Sequence, residues 1–304
     1  GFAIGHNGNL TNAATLRSQL VQRGCIFQST MDSEVIIHLI ATSTYHGLLD
    51  RMIDALRSVV GAYSLVAMTD DKLIGVRDPM GVRPLILGDL EGAPILTSET
   101  CALDIIGATF VREIAPGEII VCSREGIESH HPFPPAASRA CIFEYVYFSR
   151  PDSITNDRSI YAVRKAIGTY LAQESAVEVD VVIPIPDSGT PAALGYAEEA
   201  GVPFELGITR NHYVGRTFIE PSQNIRNFGV KLKHNANRAE IYGRRVLLVD
   251  DSIVRGTTSR KIVQMVRDAG AREVHMRIAS PPTANPCFYG IDMPSHEELI
   301  GSRL

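Results

Sequence analysis

The chain has only five cysteines in 304 residues, no long apolar run and no excess of basic side chains. Each shortage excludes a class of protein. Cys25, Cys101, Cys122, Cys141 and Cys287 are scattered, odd in number and contain no C-x-x-C pair. That argues against a disulfide framework and against a local zinc motif. No apolar stretch approaches a membrane span, and no basic region followed by a hydrophobic core opens the chain, so a cytosolic protein is expected. A formal net charge of −5 argues against a general nucleic-acid or membrane-surface role. Internal repeats and low-complexity segments are also missing. The first residue is Gly1 rather than Met, within what reads as a strand, so residues are expected upstream of it.

What is present is an ordinary globular composition, 45% hydrophobic and 21% charged, long enough for two domains. The two halves carry different patterns. Phe2 to Ile4 predict a strand, His6-Asn7-Gly8-Asn9 a tight polar turn, and Leu16 and Leu20 a helix face ending at Gly24. Further helices are predicted from Asp32 and around Leu48, Met52, Ile53 and Leu56. From Gly61 to about Ser123, short strands alternate with turn signals, which implies an antiparallel α+β domain. HPFPPAAS, at residues 131–138, breaks both helix and strand and sets the boundary at 134/135. Beyond it a helix with Ile160, Val163, Ile167 and Leu171 on one face precedes the strand VDVVIPIP. A helix around Ala193, the strand VPFELGIT, the strand VLLVDD with its own helix, and the strand EVHMRIAS follow. This order predicts a doubly wound α/β domain.

The most informative stretch is RVLLVDDSIVRGTTS, at residues 245–259. A β-branched apolar run ends at Asp250 and Asp251. A loop with Ser252, Gly256, Thr257 and Thr258 then opens a helix. Hydroxyls and backbone N–H groups at a helix N-terminus suit a phosphate, whereas two carboxylates suit ribose hydroxyls or a divalent cation. Pro186, Asp187, Ser188 and Gly189 likewise follow a strand and open a helix, so they can offer amides to a second phosphate. Between Thr209 and Arg238 lies a segment too long for an idle connection. It carries Arg210, Arg216, Arg226, Lys231, Lys233 and Arg238 against the single acid Glu220, and reads as a cationic lid.

VLLVDDSIVRGTTS resembles the phosphoribosyl pyrophosphate (PRPP) signature of type I phosphoribosyltransferases, in the form found in the glutamine PRPP amidotransferase family. The lid is similar to that family's YVGRTFI-P-Q-R-K segment, with His212 where Arg is expected. In the first half, HNGNLTN at residues 6–12, MDSE at 31–34 and RDPMGVRPL at 77–85 resemble the glutaminase domain of N-terminal-nucleophile amidotransferases. The resemblance implies a partial α+β N-terminal-nucleophile hydrolase-type domain over residues 1–134. It implies an α/β type I phosphoribosyltransferase domain with a parallel sheet over 135–304. An Asn amide beside a Gly N–H can converge on one oxygen, so Asn7 and Gly8 are expected to form an oxyanion hole. Asp32 is expected to bind the ammonium group of glutamine. Arg77, Asp78 and Arg83 are read as structural ion pairs.

By the same resemblance, PRPP contacts fall to Pro186, Asp187, Ser188, Gly189, Asp250, Asp251, Ser252, Gly256, Thr257 and Thr258, and Ser188 joins Asp250 and Asp251 around Mg²⁺. Arg216 and Lys231 belong to the lid. The family's nucleophile is an N-terminal Cys with its own α-amino group as base, expected upstream of Gly1. Cys141 and Cys287, in CIFEYVYFSRPDS and SPPTANPCFYGID, resemble positions of the Bacillus-type branch that bind a [4Fe–4S] cluster, the other two thiolates lying beyond Leu304. The implied activity makes 5-phosphoribosylamine, glutamate and pyrophosphate from glutamine and PRPP. Purine nucleotide inhibitors and a homo-oligomer are also implied. A PRPP-sensing transcriptional regulator is a rival reading, but it needs a basic recognition helix, which the sequence lacks. A catalytically dead partner is another.

Overall fold

A computed structural model describes residues 1–211, 234–290 and 296–303. The chain forms two compact units, the first comprising Gly1–Cys141 with Ile154–Asp157 and a short segment beginning at Cys287, the second most of the remainder from Ile142 onward. The boundary expected at 134/135 lies a few residues early. Arg139 and Cys141 donate backbone N–H groups to Met80 (2.8 Å) and Val82 (3.1 Å), which ties the end of the proline-rich stretch to the first unit.

In the first unit, β1 (Ala3–Leu10), β2 (Gly61–Met68), β3 (Leu73–Arg77), β7 (Ile119–Ser123) and β8 (Gly126–His130) form an antiparallel sheet in that order. β4 (Ile86–Leu90) sits between β5 (Ala93–Thr97) and β6 (Thr109–Glu113) in a second sheet. Helices α1 (Ala13–Gln22), α2 (Ser33–Thr42) and α3 (Leu48–Arg57) fall where the sequence places them, and α4 (Thr100–Ile106) is additional. Ile36, Ile40, Met52 and Leu56 from α2 and α3 pack on Leu65, Ala67, Ile74 and Val76, so the helices cover one face of the larger sheet. The turn expected at His6-Asn7-Gly8-Asn9 is not formed. These residues continue β1, paired with β2 without interruption from Ala3↔Met68 to Leu10↔Gly61.

In the second unit, β12 (Arg245–Asp250) lies between β9 (Val181–Pro184) and β13 (Glu273–Ile278), all parallel. Val181, Ile183, Val246 and Leu248 pack with Ile262 and Val266 of α7 (Thr257–Asp268). Val182, Leu247 and Val249 pack on the opposite face with Ala172 of α5 (Ile160–Glu174) and Ala193 and Tyr196 of α6 (Thr190–Ala200). Both faces are covered, which is why β9 and β12 read as continuous apolar runs rather than alternating ones. VPFELGIT is not one strand. Phe204 makes a single parallel bridge to Val182, whereas β10 (Ile208–Arg210) turns away to pair antiparallel with β11 (His234–Ala236). A π-helical turn over Glu144–Phe148 was not foreseen either.

Candidate active sites

Each unit gathers polar residues on one strand, along β1 in the first and at the end of β12 in the second. In the second, β12 is buried throughout its apolar run and delivers Asp250 (9% exposed) and Asp251 (7%) to its C-terminal end. Ala279 N–H donates to the Asp250 carbonyl and Ser280 N–H to that of Asp251, both at 2.9 Å, so the strand's last two peptides are pinned to the end of β13. Asp251 N–H donates to Asp250 Oδ1 (3.0 Å), and Ser252 Oγ to Asp251 Oδ2 (3.3 Å). Burial, and after it repulsion from Asp251, push the Asp250 carboxyl up to about 8. Among the described residues no cationic side chain pairs with either acid. Two adjacent buried carboxylates without a counter-cation suit a divalent metal, which takes oxygen ligands from one or two carboxylates and completes its shell with substrate or water.

The loop of Pro186, Asp187, Ser188 and Gly189 lies against this strand end. Ile185 N–H donates to the Val249 carbonyl (2.9 Å), and a Cβ at Gly189 would sit 2.5 Å from that same oxygen and 3.3 Å from Asp250 Cα. The close approach needs glycine. Gly189 and Thr190 use their N–H groups on Ile185 (3.1 Å) and Asp187 (3.2 Å), which leaves the amides of Asp187 and Ser188 as the loop's donors. The Asp187 carboxylate pairs with Arg210. Gly256, at φ +72, caps α7, whose first residues Thr257 and Thr258 are exposed at the helix N-terminus. Both loops and both acids lie at the C-terminal end of the parallel strands. Arg216, Lys231 and His212 of the expected lid lie outside the described residues.

In the first unit, the backbone of Gly8 has φ +145, and a Cβ there would meet the Ala62 carbonyl oxygen at 2.0 Å. That permits His6, Asn7 and Gly8 to lie flat in β1. Asn7 Nδ2 donates to Ser98 Oγ and Asn7 Oδ1 accepts from Arg83 Nε, each at 3.1 Å. Asp32 immediately precedes α2. Its Oδ2 accepts from Leu10 N–H (3.0 Å), and its Oδ1 meets His6 Nδ1 (3.2 Å). Asp32 thus reaches β1 through His6 and Leu10, whereas the Asn7 side chain is held by Ser98 and Arg83.

Residues 1–104 match a family model described as a glutamine amidotransferase domain, and residues 152–279 one described as a phosphoribosyl transferase domain. The amidophosphoribosyltransferase of Rhizobium etli is 60% identical over all of this chain and 62% of its own length. That of Bacillus subtilis is 51% identical over 99% of the chain and 63% of its own length. The solved B. subtilis glutamine PRPP amidotransferase, complexed with ADP and GMP, aligns over the whole chain and 67% of that structure, with 51% identity and a TM-score of 0.92. The chain belongs to the amidophosphoribosyltransferase family. It spans about three fifths of the length of these curated relatives.

Within this amidophosphoribosyltransferase-family chain, Arg77 makes an ion pair as expected, with Glu113 (3.6 Å), whereas Asp78 is held by backbone N–H groups. Arg77 donates to the carbonyls of Ile114 (2.7 Å), Arg83 (2.9 Å) and Gly81 (3.2 Å). Asp78 is fully buried and accepts from the N–H groups of Tyr63, Met80 and Val82, with burial raising its pKa. Arg83 differs, because its side chain lies on Asn7. Ser98 was missed, since it belongs to no motif, and His6 was read only as part of HNGNLTN. The five cysteines form no disulfide. Cys141 and Cys287, within the bounds 135–304 expected for the second domain, both fall in the first unit and are half-buried. The segment at Cys287 reaches β1, where Asn9 Nδ2 donates to the Phe288 carbonyl (2.8 Å).

Proposed function

We propose that the full-length protein is an amidophosphoribosyltransferase, releasing ammonia from glutamine and joining it to C1 of PRPP to give 5-phosphoribosylamine, glutamate and pyrophosphate, the first step of de novo purine synthesis. One observation carries the reading. A single chain holds an Asn-Gly pair beside Asp32 at one strand and two buried acids between two phosphate-type loops at another.

In the glutaminase half, Asp32 holds the substrate ammonium, and the Asn7 amide and Gly8 N–H take the oxyanion formed when a thiolate attacks the carboxamide. That thiolate belongs to an N-terminal cysteine outside residues 1–304. In the other half, Thr257 and Thr258 at the start of α7 hold the 5-phosphate, with Ser252 and Gly256 shaping the turn. The amides of Asp187 and Ser188 hold pyrophosphate, with Pro186 and Gly189 fixing the loop. Asp250 and Asp251 face the ribose hydroxyls, and with Ser188 beside them would hold Mg²⁺. The metal would neutralise the pyrophosphate as it leaves. Arg216 and Lys231 act from the lid. Cys141 and Cys287 supply two of the four thiolates of a [4Fe–4S] cluster in the longer protein. The resemblance of their two motifs to the Bacillus-type branch supports this. Purine nucleotides inhibit, as the nucleotide-bound B. subtilis relative suggests, and the protein is a cytosolic homo-oligomer.

The reading is tested by replacing both acids. Asp250→Asn with Asp251→Asn is expected to weaken Mg²⁺-dependent PRPP binding at least 100-fold in calorimetry, because the metal loses both anionic ligands. Unchanged affinity, or binding that ignores Mg²⁺ in the parent, refutes it.

A further inference from the structure

Arg83 lies between two parts of the first unit. Its backbone carbonyl accepts from Ser64 Oγ (3.0 Å) and from Arg77 Nε (2.9 Å), and Arg77 is itself anchored on Ile114 and Gly81. Its side chain is buried, 8% of the residue being exposed, and its Nε–H points at Asn7 Oδ1 (3.1 Å). The contact joins residues that the sequence separates by most of a domain.

The chemistry of the two groups makes the contact directional. A carboxamide has a donor end and an acceptor end of nearly the same shape, and only the donor end can stabilise an oxyanion. Ser98 cannot choose between the ends, because its hydroxyl both donates and accepts. A guanidinium can, because it carries donors alone. Turning the Asn7 amide over would set its NH₂ group against the Arg83 Nε–H. With Oδ1 held, Nδ2 faces away from Arg83. One of its two hydrogens goes to Ser98 Oγ (3.1 Å), and the second is left for a ligand. A cation on Oδ1 also polarises the amide, which strengthens the N–H groups as donors.

We propose that Arg83 is a positioning residue for glutamine hydrolysis, fixing the Asn7 carboxamide with its NH₂ end toward the substrate oxygen. The inference rests on the oxyanion role given to Asn7 above. It places RDPMGVRPL in the glutaminase machinery without contact to substrate.

The test uses the full-length protein and steady-state glutamine hydrolysis. Asn7→Ala is expected to lower kcat about 10²-fold, as loss of one oxyanion donor does. Arg83→Met should lower kcat at least 10-fold with KM for glutamine within threefold of the parent, since Asp32 is untouched. The double variant should be no worse than Asn7→Ala alone, within about threefold, because the arginine acts only through the amide. Thermal unfolding and Mg²⁺-dependent PRPP binding report whether the fold survives. If Arg83→Met does not fold, Arg83→Gln, polar but too short to reach Oδ1, replaces it with the same expected outcomes. An Arg83 variant with parental kcat, or losses that multiply with Asn7→Ala, overturns the proposal. Parental kcat in Asn7→Ala instead overturns the oxyanion reading, so the two failures are distinct.

Discussion

Glu118 shows how one buried charge holds the first unit together. It is 1% exposed and immediately precedes β7 of the larger sheet, whereas its partner Arg112 lies on β6 of the smaller one. Arg112 meets its two oxygens at 2.6 and 2.9 Å, Ala115 N–H donates at 2.7 Å and Ser129 Oγ at 2.7 Å. Burial acts against the charge, but these donors together win, and the carboxyl falls to about 2. A carboxyl lowered from its ordinary value of 4.5 stabilises the fold above that value and loses the contribution as pH falls toward 2. Glu118→Gln is therefore expected to cost about 1–2 kcal/mol at neutral pH, since it takes the charge out of the buried hydrogen bonds while the half-exposed Arg112 regains water. It should also flatten the loss of stability between pH 4.5 and 2, relative to the parent, in thermal unfolding followed against pH. Equal acid sensitivity in parent and variant would show that the pair carries no such weight. Nothing in the sequence marks Glu118, because its partners, although all within eleven residues of it, fall at no helix or strand spacing. Asp250 and Asp251 were legible because a buried strand ending in two acids is a local pattern.

At the scale of elements, legibility followed the locality of the cause. Helices α1, α2 and α3 are set by their own periodicity and strands β9, β12 and β13 by their own apolar residues, and all six were foreseen, whereas α4 was not. β1 was misjudged because Asn-Gly usually turns a hairpin, whereas here β2 supplies a partner for every residue and Gly8 extends into a backbone region closed to other side chains. The apolar stripe Ile160, Val163, Ile167 and Leu171 does not define the buried face of α5. Ile160, Arg164, Gly168 and Ala172 do, because α6 approaches so closely that a Cβ at Gly168 would lie 1.9 Å from the Ala192 carbonyl oxygen. Gly189 has a comparable constraint with a functional reading. A methyl group there would press on the Val249 carbonyl and displace the loop from the end of β12. Gly189→Ala is expected to weaken PRPP binding at least 10-fold in calorimetry while glutamine hydrolysis by the full-length protein stays within twofold. Loss of both activities together would mean that the substitution unfolds more than its loop.

For the whole molecule, the two halves were legible from motifs, but the membership of each unit was not. A linear boundary at 134/135 cannot describe a chain whose segment at Cys287 returns to the first unit. That return bears on the cluster proposal. Cys141 and Cys287, distant in sequence, belong to one compact unit, and a [4Fe–4S] cluster requires four thiolates held at once. Assembly should then be all-or-none with respect to each ligand. Cys141→Ser and Cys287→Ser are each expected to remove nearly all iron from anaerobically purified full-length protein, rather than half of it. Charge-transfer absorbance from thiolate to iron should disappear in parallel, while Cys25→Ser retains both signals, because that thiol lies in neither of the two motifs. A parent protein without iron refutes the cluster outright. Iron retained in full by either single variant would instead remove that cysteine from the ligand set and leave it a half-buried thiol of the first unit.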